Sequence, residues 1–280
     1  MTAVTPADLT ITPRDLKIDR EARNARWWHG GDPIATAYFN ALSAAFPQGE
    51  TFFIDTVRRF RDQADQGLQE QIAAFIRQES MHTREHVVFN RLIRNAGYDT
   101  SAMDAETRRR IDLARSRPPI VQLAITAALE HFTAIMAHSL LTEAKPMPGA
   151  PAEVLRLWQW HAIEEIEHKA VAYDTFLAAS KNMSSFRRWA VRCHVMGLIG
   201  LQFWYANFQR MADFFRQDQM NNTRTWLRVA KYLLISPGMM RRIFLPYLSF
   251  FRPGFHPWRQ DDRKLIGEVE RTLAISDSGV

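Results

Sequence analysis

The stretches QESMHTREH (residues 78–86) and WHAIEEIEHKAVAYD (residues 160–174) each contain a glutamate followed three residues later by a histidine. The two pairs are Glu79 with His82 and Glu165 with His168. On an α-helix, side chains three positions apart lie on nearly the same face, so each pair can converge on one point beside its helix. Both pairs stand at positions where the core of a helical bundle would ordinarily be apolar.

Apolar residues recur three and four positions apart around both motifs, and alternating strand-like runs are nearly absent, so the sequence predicts an all-α protein. We expect a first helix after the break at Pro47-Gln48-Gly49, covering residues 49–64. The other three are expected at about Leu68–Asn95, ending before Gly97, at Ile120–Ala144 and at Ala152–Ala179. The two hairpins, joined by a long connection that could contain a short helix, predict a four-helix bundle with one crossover.

The first and third helices each contribute one further glutamate. Glu50 precedes an aromatic run, and Glu130 lies within QLAITAALEHFTAIMAHSLL (residues 122–141), which has no other charge. A carboxylate buried without a partner is unfavourable, so most buried charges are paired or bind metal. The order is Glu, Glu-x-x-His, Glu, Glu-x-x-His, and six such ligands converging would hold two divalent cations. Carboxylate and imidazole donors favour iron, with manganese or a mixed pair as alternatives, over zinc in a thiolate site.

Some positions near the motifs leave alternatives open. Glu164 precedes His168 by four residues and competes with Glu165, although the repeated three-residue spacing favours Glu165. His86 and His161 lie one turn from the motifs, where each could support the ligands, face a substrate or simply belong to the core. Glu50 could instead be an acid that interacts with a helix amino terminus.

The chain resembles the ferritin-like dimetal-carboxylate superfamily over roughly residues 47–180. It is also similar to the bacterial family labelled predicted metal-dependent hydrolases, through FPQGETFF, QESMHTREH, LEHFTA, WHAIEEIEHKAVAYD and the late PGFHPW. The resemblance implies a metal ligand set, and nothing in the sequence departs from it. That set comprises Glu50, Glu79, His82, Glu130, Glu165 and His168.

These features predict an enzyme. The main expectation is O₂-dependent oxidation of a largely apolar, lipid-like or aromatic small molecule by a di-iron site with an unidentified electron donor. The alternative is hydrolysis of an ester or phosphoester at the same two metals. A second alternative is iron handling by a ferroxidase. Cys193 is the only cysteine, which argues against a disulfide framework and favours a reducing compartment.

The chain divides into an N-terminal segment (1–46), the bundle (47–184) and a C-terminal helical extension (185–280). Residues 186–263 hold 13 basic and 4 acidic residues, a net charge of +9 against +6 for the whole chain. This aromatic, basic segment could cap the bundle, form a homodimer interface or lie on a membrane surface. No motif for nucleic-acid binding is present. The amino terminus lacks a targeting pattern, so we expect a cytoplasmic protein, with peripheral contact at the inner membrane face as an option.

Overall fold

A computed structural model describes residues 4–277, and side chains as far as Arg271. Within this range the protein contains α-helices, short 3₁₀ turns and no strand, which confirms the predicted all-α bundle. The helices are α1 (Pro33–Ser43), α2 (Phe46–Arg59), α3 (Gln66–Asn95), α4 (Ser101–Arg115), α5 (Pro119–Leu141), α6 (Ala152–His168), α7 (Val171–Ala179), α8 (Ser185–Gln217), α9 (Thr223–Leu234), α10 (Met239–Ser249) and α11 (Arg263–Asp277).

Four rods form the bundle: α2, α3, α5, and α6 followed by α7. The helix α2 packs on α3 and α5, α5 packs on α6 and α7, and α3 packs on both segments of the fourth rod. Large apolar side chains fill the space between these rods because burying them is the main favourable term in folding. The most completely buried of them include Phe52, Ile72, Phe75, Phe89 and Phe132.

Several helix boundaries differ from the prediction. The first bundle helix begins at Phe46, because Pro47 lies in its first turn, where a proline removes no hydrogen bond. The expected fourth helix divides into α6 and α7 at Lys169, whose Nζ donates to Asp262 Oδ2 (2.6 Å). The long connection contains the 15-residue helix α4. Gly97 adopts a φ of 92° just after α3, as predicted for the residue that ends it.

The N-terminal segment contributes two elements to the bundle. Residues 11–19, here called the strap, have no regular secondary structure and cross α3 and α6. The backbone N–H of Thr12 donates to Glu167 and that of Ile18 to Glu85. Helix α1 follows and is buried along its whole length, against α3 and α8.

Residues 185–277 pack on the outside of the bundle: α8 against α1 and α5, α10 against α5, and α11 against α6. Apolar side chains nevertheless remain exposed on α8, α9 and α10, so peripheral membrane contact and a homodimer stay predictions. By length and composition α5 could cross a membrane, but 78% of its most apolar window is buried. The exposed large apolar side chains on α8, α9 and α10 include Phe186, Leu201, Leu227, Phe244 and Leu245.

The terminal residues 1–3 and 278–280 of the predicted segments lie outside the described range.

Candidate metal centre

The six residues predicted as metal ligands meet in the middle of the bundle. Each is at most 4% exposed. They come from α2, α3, α5 and α6, so four separate rods supply the donors. The cluster consists of Glu50, Glu79, His82, Glu130, Glu165 and His168.

The donor atoms divide into two neighbouring groups. In one group, His168 Nε2 lies 3.1 Å from Glu79 Oε1, 3.3 Å from Glu130 Oε2 and 3.6 Å from Glu165 Oε1. In the other, His82 Nδ1 lies 3.8 Å from Glu79 Oε1 and 3.6 Å from Glu165 Oε1. Glu79 and Glu165 thus belong to both groups, as carboxylates that bridge two ions would. Glu50 completes a group with Glu79 and His82 whose donor atoms lie within 4.8 Å of one another.

Every member of this cluster has a buried polar atom with no hydrogen-bond partner. These atoms are Oε1 of Glu50, both oxygens of Glu79 and Glu130, Oε2 of Glu165, Nδ1 of His82 and Nε2 of His168. Buried polar groups are normally hydrogen-bonded, so a concentration of orphaned acceptors needs an explanation. Divalent cations at the centre would satisfy them all, and the residues present therefore fit a pair of metal ions.

Three other buried glutamates provide a contrast, because the strap satisfies them. Glu164 accepts from the backbone N–H of Arg14 (2.8 Å), Glu167 from that of Thr12 (3.1 Å), and Glu85 from that of Ile18 (2.9 Å). Seven glutamates are buried among the described side chains, and only the four in the cluster keep at least one carboxylate oxygen without a partner. Glu50, for example, accepts from Thr83 Oγ1 at Oε2 (3.0 Å), but its Oε1 has no partner. Burial alone thus does not distinguish the candidate ligands, whereas hydrogen bonding does.

Second partners orient the two imidazoles. His82 donates from Nε2 to Glu164 (3.0 Å), which leaves Nδ1 directed at the centre. Gln78 donates from Nε2 to Glu167 (2.8 Å), so its Oε1 accepts from His168 Nδ1 (2.9 Å). The free nitrogen of His168 is then Nε2, which also faces the centre. Outer carboxylates and amides commonly orient metal-bound histidines in this way.

Arg14 connects these two arrangements from the strap. Its guanidinium contacts Glu164 (3.4 Å) and Glu167 (2.6 Å). Because Glu164 holds His82, and Glu167 holds His168 through Gln78, one arginine supports both histidines. Arg14, Gln78 and Glu167 were absent from the sequence-based site, since the strap is some 150 residues away from α6 along the chain.

His161 also faces the centre, through a directed chain of hydrogen bonds. Asn90 donates from Nδ2 to the Ser43 carbonyl, so its Oδ1 accepts from Ser43 Oγ (2.7 Å). The hydroxyl of Ser43 then accepts from His86 Nδ1 (2.8 Å), and His86 Nε2 accepts from His161 Nδ1 (2.7 Å). A neutral His161 therefore presents an unprotonated Nε2 to Glu165 Oε1 at 2.8 Å. Two acceptors at this distance need a proton or a metal ion between or beside them. Since the donor atoms of His82, His161 and Glu165 also lie within 4.8 Å of one another, His161 is a candidate for a further metal donor.

The pKa values of the metal-free cluster are strongly perturbed. Burial raises the pKa of Glu130 to about 8 against the opposing charge of His168. Burial opposes a charge on His82, but the neighbouring carboxylates of Glu164 and Glu79 outweigh it and raise the His82 pKa to about 10. The carboxylates of Glu130 and Glu165 likewise raise the pKa of His168 against the effect of burial. For His161, burial and the charge of His82 lower the pKa to about 4. In the absence of metal, the charges of His82 and His168 and a proton on Glu130 thus offset part of the negative charge of the cluster.

Comparison with known proteins agrees with this geometry. The profile of a family described as "Predicted metal-dependent hydrolase" matches residues 12–261. The chain belongs to this family. It matches no curated protein and no solved structure. The matched range of the metal-dependent hydrolase family begins inside the strap and runs past α10, so it covers the whole cluster together with its outer supports.

A cavity of about 150 Å³ meets the cluster at Glu50, His161 and Glu165. Its walls come largely from α2, α4, α5 and α8, so the helix of the long connection and the C-terminal extension both help to enclose it. Arg110 and Arg210 also line the cavity. Most of the remaining lining is apolar and includes Phe52, Phe53, Ile111, Ile125, Leu129, Ile199 and Phe203.

Proposed function

We propose that this protein is a metal-dependent hydrolase that cleaves a small carboxylic ester with a largely apolar body at a binuclear centre. The observation that carries the proposal is the junction between the orphaned donor cluster and the apolar cavity at Glu50, His161 and Glu165. The description of the family supports hydrolysis as the reaction class. In the overall reaction, water adds to the ester carbonyl carbon, the carbon–oxygen bond to the alcohol breaks, and an acid and an alcohol leave.

In this proposal Glu130 and His168 would hold one ion and Glu50 and His82 the other, and Glu79 and Glu165 would contribute to both. Two divalent ions bound there would polarise the ester carbonyl and lower the pKa of a water molecule. His161 adds a donor on the side that faces the cavity, which makes the two ion positions unequal.

The other contributions come from the chain itself. The rings of Phe46 and Trp158 lie against His161 at centroid distances of 5.0 and 6.5 Å and limit the access of water to the cluster. The strap holds His82 and His168 through Glu164, Glu167 and Gln78, so the imidazoles cannot turn away from the centre. A rigid, largely dry site strengthens electrostatic interactions with the reacting carbonyl.

A second candidate is the O₂-dependent oxidation of an apolar small molecule by two irons. The specific observation in its favour is the donor set, because four glutamates and two or three imidazoles, without thiolate, suit iron and manganese. It would use the same ligands and the same cavity. Iron handling without turnover of an organic molecule remains a weaker hypothesis, since an apolar cavity beside the cluster has no role in it.

Metal reconstitution under defined oxygen separates these reactions. Protein stripped of metal would be loaded anaerobically with Mn²⁺, Zn²⁺ or Fe²⁺ and assayed with p-nitrophenyl butyrate. We expect ester turnover with Mn²⁺ or Zn²⁺ and no O₂ uptake. Turnover should be lost in Glu165→Gln and retained in Glu153→Gln, a matched control at an exposed position of the same helix. Absence of hydrolysis with every ion would reject the hydrolase. O₂ consumption by the Fe²⁺ form that depends on an added apolar substrate would then favour the oxidase, and O₂ consumption without one would favour iron handling.

A further inference from the structure

The lining of the cavity beside the cluster contains two chemically different sets of side chains. One set consists of the metal-facing groups Glu50, His161 and Glu165, and the other, here called the arginine end, consists of Arg110 and Arg210. The α8 residues that line it run from Ile199 to Arg210, eleven positions or about 16 Å along a helix axis. A molecule that fills the cavity would therefore contact the cluster and the arginines at the same time.

The arginine end carries an excess of positive charge. Among the described side chains, Glu106 is the one carboxylate within ion-pair distance, and it contacts Arg110 at 2.7 Å while also binding Arg109 on the exposed side of α4. Arg210 makes no ion pair within the described part of the chain, and its one hydrogen bond there goes to Thr107 Oγ1 at 3.3 Å. Arg110 also donates from Nη2 to Gln209 Oε1 (3.0 Å), but its buried Nε has no acceptor among the described residues. An anion at the arginine end would supply an acceptor to Arg110 Nε and a charged partner to Arg210.

Burial of Arg210 beside Arg110 makes this excess positive charge energetically unfavourable in the absence of an anion. Burial lowers the pKa of Arg210 to about 10, and the charge of Arg110 adds to that effect, while Glu106 and Asp104 oppose it only in part. Guanidinium groups bind carboxylates through paired, charge-assisted hydrogen bonds, which are stronger than hydrogen bonds between neutral groups.

We propose that the substrate is a small amphipathic carboxylate, bound with its anionic end on Arg210 and Arg110 and its apolar body along the walls from α2, α5 and α8. The proposal rests on the function proposed above, because it places the ester group at the opposite end, beside Glu50 and Glu165. The apolar middle of the cavity disfavours sugars, nucleotides and peptides, whose polar groups would lose hydrogen bonds to water there.

Binding of octanoate and of 1-octanol, measured by calorimetry on the metal-loaded protein, tests this assignment. The two probes share an apolar chain and differ in the anionic group. We expect octanoate to bind more tightly than 1-octanol. Arg210→Gln should weaken octanoate binding by about 10- to 100-fold, the loss that corresponds to a charged hydrogen bond. The same variant should bind 1-octanol unchanged, and Arg210→Lys should retain part of the preference for the anion.

Two controls keep the result specific. Arg108→Gln changes an exposed arginine of α4 outside the cavity and should leave both affinities as they are. Removal of metal with EDTA should preserve octanoate binding, because the arginines hold the carboxylate. Where Arg210→Gln fails to fold, by circular dichroism, Arg110→Gln provides the same test at the same end of the cavity.

The assignment is wrong when octanoate binds equally well to both arginine variants, or when EDTA abolishes its binding, since the carboxylate would then coordinate the metals. Failure of the proposed reaction gives a different result. Octanoate binding that depends on Arg210, without hydrolysis of any ester, would retain the anionic ligand and reject the hydrolase. Hydrolysis of p-nitrophenyl butyrate, together with octanoate binding that Arg210→Gln does not weaken, would do the reverse.

Discussion

At the scale of single residues, hydrogen bonding distinguishes the glutamates of the centre from other buried acids. Glu130 is the clearest case, because both of its oxygens are buried and unpartnered, and it is the only acid in the run from Ile120 to Leu141. An unpaired carboxylate at such a position destabilises the fold unless something outside the chain balances it. Its environment therefore indicates a role in binding rather than in packing.

Replacing Glu130 by glutamine should remove one of the two metal ions. The amide keeps the size of the side chain but lacks the negative charge of the carboxylate, whose Oε2 lies 3.3 Å from His168 Nε2. We expect about one metal ion per chain by elemental analysis, against about two in the wild type, with helical content unchanged. Glu153→Gln serves as the control. Two ions bound at undiminished affinity in Glu130→Gln would show that this residue is not a ligand.

Arg14 is the residue whose loss should affect both metal positions at once. In Arg14→Gln, the buried carboxylates of Glu164 and Glu167 lose their shared cation, which we expect to cost about 3 kcal/mol of unfolding free energy. Metal affinity should fall about 10- to 100-fold because His82 and His168 lose their fixed orientation. Urea denaturation and competitive chelator titration measure the two effects.

The matched control is Arg23→Gln, an exposed arginine beyond the strap. Unchanged affinity in Arg14→Gln, together with the expected loss of stability, would limit Arg14 to a purely structural role.

At the scale of elements, α4 and α8 enclose the cavity without contributing a metal donor. Two aromatic residues of α8 anchor this helix to the rest of the protein. Phe214 and Phe215 are fully buried, and the ring of Phe214 packs edge-on against that of Tyr98 at a centroid distance of 4.9 Å. Its other face remains exposed, at Leu201 for example. The helix is therefore amphipathic, and its apolar face covers α1 and α5.

Truncation of Phe214 to alanine should destabilise the protein by about 4 kcal/mol, because it removes a fully buried ring and leaves a cavity. Leu201→Ala, on the exposed face of the same helix, should change stability by less than about 0.5 kcal/mol. Urea denaturation of the full chain measures both. Equal effects at the two positions would mean that α8 does not pack on the bundle as described.

At the scale of the whole molecule, metal ions and protons compete for the same centre. Stability should therefore fall with rising pH in the metal-free protein, whereas it should stay nearly constant or rise when metal is bound. In the metal-free protein the pKa of His82 is raised to about 10 and that of Glu130 to about 8. The folded state thus holds protons that the unfolded chain releases near pH 6.5 and pH 4.5 respectively. The stabilisation that His82 and Glu130 contribute is complete below their unfolded-state pKa values. It is lost as the pH rises through their folded-state pKa values, about 8 for Glu130 and then about 10 for His82.

Thermal melts at several pH values test this competition. The melting temperature of EDTA-treated protein should fall between pH 7 and pH 9.5, while that of the metal-loaded protein should be nearly constant or rise over the same range. His161 does not oppose the trend, since its lowered pKa of about 4 affects stability only below pH 6.5. Parallel curves with and without metal would indicate that the ions do not displace these protons.

The residue spacing was sufficient to predict the all-α bundle and the six residues that meet in its centre. Helical periodicity and the Glu-x-x-His repeats depend only on local geometry, in which positions three and four apart share a face. The same local reasoning placed His161 beside the site but could not predict which way its ring points. Ser43, His86 and Asn90 orient that ring through hydrogen bonds, and they come from two other helices. Local reasoning could not predict the two-residue break between α6 and α7 either, since Lys169 at the break contacts residues some 90 positions away along the chain.

The amino-acid sequence by itself thus determined the fold class and pointed to the candidate donors, because both follow from side-chain types repeated along helices. Only the tertiary structure decided which buried glutamates are free to bind metal, since the strap neutralises Glu85, Glu164 and Glu167 through contacts that span 67 to 155 residues. It also decided which charged residues line the cavity, because Arg110 on α4 and Arg210 on α8 come together only when both helices pack on the bundle. Such pairings result from the burial of apolar surface over the whole chain, which no local pattern encodes.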